Sequence, residues 1–175
     1  MDESLRGLMK GWKVVPLTVE ERGELLDDTQ WFSDWSWPHL EELARHIAVL
    51  HALEGKVLFE QGDDSRFMAL IVKGRIQLVK EDPEGGQREL ASLGENKSLG
   101  ELALLDAEPR SATARVQHTV TMIVITLERF ERLQQVAPET WGLLSYKLAQ
   151  LVSRRLRLMT GLWIEHLNEE SGEGV

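Results

Sequence analysis

The fold is decided by the stretch Ser98-Leu-Gly-Glu-Leu-Ala-Leu-Leu-Asp-Ala-Glu-Pro-Arg-Ser-Ala-Thr113. Its pattern predicts the end of a strand, one short apolar helical turn over residues 101–105, a loop, and a second strand with Arg110 at its mouth. Gly100 lets the backbone approach a ligand closely, and the first turn of the helix directs amide hydrogens towards it. An anion suits such a site, and the planar fork of Arg110 would clamp it. Because Glu101 repels phosphate but accepts hydrogen bonds from hydroxyl groups, the combination favours a phosphate joined to a ribose.

Short apolar or alternating runs lie on both sides of this stretch. Turn signals separate them at intervals of about ten residues, as in Gly62-Asp63-Asp64, Lys73-Gly74 and Asp82-Pro-Glu-Gly-Gly86. The predicted strands cover residues 55–59, 68–72, 75–79, 89–93, 112–114 and 120–125. Short, regularly spaced strands predict an α+β protein built on an antiparallel β-barrel or jelly roll of about eight strands. The barrel is expected to occupy residues 48–127.

Helical periodicity flanks the predicted barrel. We predict one helix over residues 2–12 and a second from residue 37 to about residue 51, with Pro38 in its first turn. Further helices are predicted from residue 128, the last one running from residue 139 to about residue 167. The chain then divides into an N-terminal extension (residues 1–30), one domain (residues 31–168, with C-terminal helices over 128–168) and an acidic tail (residues 169–175).

The last predicted helix is apolar on two sides. One stripe runs through Leu144, Leu148, Leu151, Leu158 and Leu162, and the other through Val152, Leu156, Met159 and Trp163. A helix with two apolar faces needs two partners. One face would cover the barrel, and the leucine stripe, spaced by sevens, is typical of a homodimer seam. A monomer that buries both faces in its own core is the alternative.

The charge balance bears on which partners the chain can have. It carries 20 Lys+Arg against 29 Asp+Glu, a formal net charge of −9, which disfavours nucleic acid and anionic membranes as main partners. The absence of cysteine excludes disulfides, thiolate metal sites and a cysteine nucleophile. No apolar run approaches the roughly 18 residues of a membrane span, and the first residues lack the layout of a signal peptide. We expect a cytoplasmic protein.

The residues that enzymes and metal sites require are not grouped along the sequence. The five histidines are scattered and form no His-x-His pair: His39, His46, His51, His118 and His166. There is no Walker loop and no dinucleotide fingerprint. We expect no enzyme activity, no metal and no cofactor. The three tryptophans at positions 31, 35 and 37 are expected to pack the N-terminal extension, the alternative being an exposed cluster that anchors a partner.

A resemblance to a known family adds to this interpretation. Gly100-Glu101-Leu102-Ala103 followed by Pro109-Arg110-Ser111-Ala112-Thr113 resembles the phosphate-binding cassette of cyclic nucleotide-binding domains. The Gln61-Gly62-Asp63 turn, the strand end at residues 71–74 and the helix over residues 149–156 are also similar to the ligand domain of catabolite activators. The resemblance extends over about residues 30–165.

The resemblance implies a role for individual residues. Arg110 would pair with the exocyclic oxygens of a cyclic phosphate, and Glu101 would accept from the ribose 2′-hydroxyl. The backbone around Gly100, Leu102, Ala103, Ser111 and Ala112 would complete the cradle; Leu78, Leu90 and Leu99 would wall the base; Arg155 and Thr160 would reach the ligand from the last helix. Met159 stands where cyclic AMP activators carry a hydroxyl residue, so adenine and guanine both stay open, with cyclic AMP the first candidate.

The resemblance also implies a function. DNA-binding members of the family continue into a helix-turn-helix, whereas only seven residues, rich in acidic side chains and glycine, follow Asn168 here. We therefore expect a stand-alone regulatory module that signals to an unidentified effector protein by moving its last helix about a hinge near Ala137-Pro138, without DNA or membrane. The alternatives are an interaction scaffold that keeps the fold but binds no nucleotide, and a sensor of another phosphate ligand such as a cyclic dinucleotide.

Overall fold

The computed structural model describes the backbone of residues 12–82, 84–106 and 108–172, and the side chains as far as residue 161. In these residues the order of elements is β1 (Trp12–Val14), α1 (Val19–Asp27), α2 (Trp37–His46), β2 (Ala48–Ala52), β3 (Val57–Phe59), β4 (Phe67–Glu81), β5 (Gln87–Leu93), β6 (Ser98–Leu99), α3 (Leu102–Leu105), β7 (Thr113–Thr126), α4 (Leu127–Val136) and α5 (Pro138–Gly172). The strands pair antiparallel in the order β1-β2-β7-β4-β5, with β3 on β7 and β6 on β4. The predicted α+β jelly roll is confirmed, with seven strands in the described residues.

Within residues 12–27, which we assigned to the N-terminal extension, the chain forms a strand and a helix. Most of the helix predicted over residues 2–12 lies outside the described residues, but Trp12 begins a strand instead of ending a helix. Its side chain is buried, edge-on to Phe67 at 5.4 Å between ring centroids. Helix α1 was not predicted, although Thr18 and Glu21 form a complete capping box at its start. That four-residue signature is the signal that would have located it.

The first predicted domain helix is shorter than expected. Helix α2 ends at His46, and the extended backbone of Ile47 leads directly into β2. The predicted continuation to about residue 51 is wrong because β2 pairs with β1 on one side and β7 on the other, which places His51 in a strand. His46, the last residue of α2, is buried.

Two pairs of predicted short strands are continuous. Residues 68–72 and 75–79 both belong to β4, and residues 112–114 and 120–125 are joined in β7. Lys73-Gly74 is therefore a bulge and not a turn, and the register between β4 and β7 shifts on either side of it. Gly74 has φ +98°, and a Cβ there would collide with the carbonyl oxygen of Thr119. The bulge bends the two long strands, so that the sheet curls around its own core.

Two apolar layers cover the two faces of this curled sheet. The inner layer includes Trp12, Leu50, Phe67 and Met122, and the outer layer joins the sheet to helices α1, α2, α4 and α5. Strands buried on both faces explain why several of them read as continuous apolar runs. No helix within the described residues is long and apolar enough to cross a membrane.

The long helix α5 changes its surroundings along its length. Leu144 and Leu148 are buried in the outer apolar layer, whereas Leu156, Leu158 and Met159 are about two-thirds exposed. The leucine stripe expected to form one dimer seam is therefore divided, since its first half packs on its own domain. Residues 156–161 are exposed, and the side chains of Leu162 and Trp163 lie outside the described residues.

Candidate functional site

A cavity of about 210 Å³ lies between the short helix α3, strands β3 and β4, and the distal part of α5. We call it the pocket. Ten of the twelve residues predicted to bind a ligand line it: Leu78, Leu99, Gly100, Glu101, Leu102, Ala103, Arg110, Ser111, Ala112 and Arg155. Residues far apart in sequence meet here because β6 ends against β4 and the loop after α3 returns to β7.

The guanidinium of Arg110 is buried and held by three protein acceptors. Its Nε donates to the Ser65 hydroxyl at 3.1 Å, Nη2 donates to the Phe67 carbonyl at 2.8 Å, and Nη1 donates to the Gly100 carbonyl at 3.3 Å. Only 5% of the residue is exposed. Glu108 is the acidic residue nearest to Arg110 in the sequence. It forms no ion pair with Arg110 in the part of the chain that is described. Arg110 is thus fixed in the pocket wall.

Two aromatic rings support the same guanidinium. Its central carbon lies 4.0 Å from the ring centroid of Phe59 and 4.4 Å from that of Phe67, and the two rings meet edge to face. Burial lowers the pKa of Arg110 to about 10, although the negative charges of Asp63 and Glu101 oppose this. Arg110 remains cationic at neutral pH, in a place where its charge is poorly solvated. A bound anion would relieve that deficit.

Glu101 is the second buried charge in the pocket, only 3% exposed. Its Oε1 accepts from Nη1 of Arg155, whereas its Oε2 is buried without a hydrogen-bond partner among the described residues. Arg155 also donates to the Ser98 carbonyl at 2.7 Å. One arginine of helix α5 therefore contacts both the first residue of β6 and the residue that precedes α3.

Gly100 is required by its surroundings. Its φ is +77°, and a Cβ on it would collide with Nη1 of Arg110 and lie 2.6 Å from the Phe67 carbonyl oxygen. The backbone conformation and the close approach of Arg110 both demand glycine. This explains physically why a glycine precedes Glu101 in the quoted stretch.

Two predicted ligand-binding residues lie away from the pocket. Leu90, expected in the core, is 55% exposed because it occupies a bulge between the pairs Leu78↔Ala91 and Val79↔Glu89. Thr160 is exposed, and its hydroxyl donates to the Leu156 carbonyl of its own helix at 2.9 Å. Both roles stay predictions that the position of α5 and β5 here does not favour.

Sequence reasoning missed the residues that support Arg110. Phe59, Ser65 and Phe67 contact it from β3 and from the start of β4, more than forty residues earlier in the chain. No periodicity or spacing signal links such distant positions. Within the described residues no three His, Cys, Asp or Glu side chains are grouped as a site for a metal ion.

The chain is similar to a known protein family and to solved structures. Residues 49–136, about half of the chain, match the family model of the cyclic nucleotide-binding domain. The crystal structure of a cyclic nucleotide-binding domain from Methylobacillus flagellatus is 23% identical and superimposes with a TM-score of 0.77 over 90% of this chain and 91% of that one. The catabolite activator protein of Thermus thermophilus is 28% identical, with a TM-score of 0.68 over 79% of this chain and 62% of that one.

Curated proteins are also similar to part of this chain. The cyclic AMP receptor protein of Thermus thermophilus is 34% identical over 104 residues, which are 59% of this chain and 46% of that protein. Lysophospholipase nte1 of Neurospora crassa is 29% identical over 103 residues, again 59% of this chain but 6% of that protein. The chain therefore spans less than half of the length of these relatives, of which one is named as a receptor and the other as an enzyme.

Proposed function

The chain belongs to the cyclic nucleotide-binding domain family, and on that premise we propose that it binds a cyclic mononucleotide, cyclic AMP first and cyclic GMP second, as a regulatory module. The observation that carries this proposal is the state of Arg110. Three of the five N–H groups of its guanidinium donate within the protein, so two are left for the oxygens of a phosphate. A single buried cation suits the single negative charge of a cyclic phosphodiester.

The sugar is the second part of the proposed ligand. The unpartnered Oε2 of Glu101 is an acceptor that a hydroxyl group of the ligand would satisfy. A carboxylate at this position disfavours a second phosphate and favours a ribose. The name of the Thermus cyclic AMP receptor protein supports adenine as the base. The apolar side chains of Leu78 and Leu99 offer the base a surface in the pocket.

The proposed signal passes through Arg155. A ribose hydroxyl that binds Glu101 competes with Arg155 for the same carboxylate, and Arg155 belongs to helix α5. Binding would therefore shift the population between two positions of α5 relative to the pocket. The backbone of Ala137, between α4 and α5, departs from helical geometry and would be the hinge.

The proposal extends to the partners of the chain. It includes a homodimer that pairs through the exposed distal half of α5, an effector protein that recognises the position of this helix, and a cytoplasmic location. Because the chain has a net charge of −9, neither nucleic acid nor a membrane is a proposed partner. The role is one of binding and regulation, not of catalysis.

Calorimetric titration with cyclic AMP and with cyclic GMP tests the proposal, on the wild-type chain and on Arg110→Ala. We expect saturable binding to the wild type and a loss of about 2–5 kcal/mol in the variant, or roughly 30- to 5000-fold in Kd. Arg66→Ala is the matched control, since Arg66 is an exposed arginine beside Ser65. Absence of heat with both nucleotides would favour another phosphate ligand, such as a cyclic dinucleotide, or a scaffold without ligand.

A further inference from the structure

A second cavity, of about 670 Å³, lies on the other side of Arg155 from the pocket. It is lined by the turn that follows α1, by the turn between β5 and β6, and by the middle of α5 from Lys147 to Leu158. We call it the lateral groove and define it by Trp31, Leu93, Lys97, Arg154 and Leu158. Arg155 lines both the pocket and the lateral groove.

The lateral groove is cationic in a chain that is otherwise acidic. Four of its lining residues are basic and Asp34 is its one carboxylate, already paired with Lys147 at 2.9 Å. Arg155 is paired with Glu101. Lys97 and Arg154 form no ion pair within the described residues, and both are exposed. Two unpaired positive charges therefore face one groove of a protein whose net charge is −9.

The floor of the lateral groove is apolar. Leu158 is 69% exposed, and Leu93 and Trp31 are half-buried. The indole of Trp31 is fixed, because its Nε1 donates to the Asn96 carbonyl at 3.2 Å. A fixed tryptophan beside an exposed leucine is typical of a surface that binds apolar side chains of a partner.

From these two features we propose that the lateral groove docks an acidic amphipathic segment of a partner protein. Carboxylates of the segment would pair with Lys97 and Arg154, while its aliphatic side chains cover Trp31 and Leu158. The apolar floor favours a protein segment over nucleic acid, for which two unpaired cations in an acidic chain supply little attraction.

The lateral groove and the pocket are connected through shared residues. Arg155 donates to Glu101 in the pocket and to the Ser98 carbonyl in the groove wall. Asn96 lies two residues before Ser98. Its side-chain Oδ1 accepts from the backbone N–H of Gln30 at 3.1 Å, and its carbonyl oxygen accepts from the Trp31 indole. A ligand that displaces Arg155 from Glu101 therefore alters the wall of the groove. This coupling rests on the proposed function, and linkage requires that the partner segment change nucleotide affinity by the same factor.

The docking is tested with a fluorescein-labelled peptide of about 16 residues, roughly four helical turns, with leucine on one face and glutamate on the other. Its binding to the full chain is measured by fluorescence anisotropy. We expect saturable binding that Lys97→Glu and Arg154→Glu each weaken by about tenfold, because reversal replaces an attraction with a repulsion. Lys80→Glu, at an exposed site on β4 outside the groove, should change the Kd by less than about twofold. A peptide with serine in place of leucine should bind at least about tenfold more weakly.

Several results would overturn the proposal. These are the absence of saturable binding by the wild-type chain, equal losses for Lys80→Glu and the groove variants, or a labelled oligonucleotide that binds more tightly than the peptide. A change of oligomeric state in Lys97→Glu or Arg154→Glu during analytical ultracentrifugation would instead make the groove a contact between copies of the chain, which also contradicts docking of a different partner. Unchanged thermal unfolding confirms that each variant is folded.

The coupling between nucleotide binding and peptide binding is tested by a separate measurement. Saturating cyclic AMP should change the Kd of the peptide at least about threefold. Arg155→Met should remove that change in a chain that still folds. Nucleotide binding measured without peptide separates the proposed nucleotide-binding function from the docking proposal. If the nucleotide binds and the peptide does not, the docking proposal fails alone; if the peptide binds and the nucleotide does not, the proposed function fails and the groove stands.

Discussion

Replacement of Arg110 by methionine separates ligand binding from folding. The unbranched methionine side chain fills the space of the arginine stem without its charge. In the nucleotide-free chain, burial of the Arg110 charge destabilises the fold, while the hydrogen bonds of its guanidinium stabilise it. Arg110→Met should therefore abolish nucleotide binding while the chain still folds.

The magnitude follows from the contacts of Arg110. Burial lowers its pKa to about 10 despite the opposing charges of Asp63 and Glu101, a net unfavourable effect on the charged form of about 3 kcal/mol at about 1.4 kcal/mol per tenfold. The carbonyl oxygens of Phe67 and Gly100 lose their donor in the variant, at about 2 kcal/mol each. The two effects nearly cancel, so we expect the free energy of unfolding without nucleotide to fall by only about 1 kcal/mol.

The assay is urea unfolding with and without cyclic AMP. At a concentration about 100 times the Kd, the nucleotide should raise the free energy of unfolding of the wild-type chain by about 2.7 kcal/mol and leave that of Arg110→Met unchanged. Arg66→Met, at an exposed position, is the control and should keep the full increase. Calorimetry on the same samples measures the Kd directly.

Two outcomes would refute this reasoning. A loss of more than about 3 kcal/mol without nucleotide would show that Arg110 is primarily a structural residue. An undiminished increase with cyclic AMP in Arg110→Met would show that the nucleotide binds elsewhere, and the pocket assignment would have to be abandoned.

Other substitutions probe the fold around the site. Gly74→Ala should lower the free energy of unfolding by at least about 2 kcal/mol, since the left-handed backbone disfavours a Cβ and Thr119 leaves no room for one; a neutral effect in urea unfolding would contradict the bulge. Burial lowers the pKa of His46 below 6.5, so the unfolded chain binds more protons and the free energy of unfolding should fall as the pH drops through 6.5. His46→Gln should flatten that slope in unfolding curves at several pH values, and an unchanged slope would exclude His46 as its source. Leu148→Ala should cost about 2–5 kcal/mol, whereas Leu158→Ala should stay within about 0.5 kcal/mol; equal losses would show that both halves of α5 pack alike.

Some features could be predicted from local sequence, and others could not. The cassette helix was located within a residue of its observed start, because glycine, an apolar turn and the following loop are adjacent in the chain. The end of α2 was placed about five residues too late, because its apolar period continues into β2 and only pairing with β1 and β7 makes those residues extended. Gly74 was predicted to lie in a turn, but it lies in a bulge. Turns and bulges favour similar residues, so the local sequence does not distinguish them.

Local signals predicted the α+β class of the fold and proposed Arg110 and Glu101 as the charged residues of the site. The strand and turn signals each extend over a few residues, and Arg110 and Glu101 are nine positions apart. Only the tertiary structure decided what holds each charge: Phe59, Ser65 and Phe67 around Arg110, and Arg155 on Glu101. It also divided the leucine stripe of α5 into a buried and an exposed half. The physical reason is that burial and hydrogen bonding join residues distant in sequence, and local periodicity carries no information about which distant residues meet.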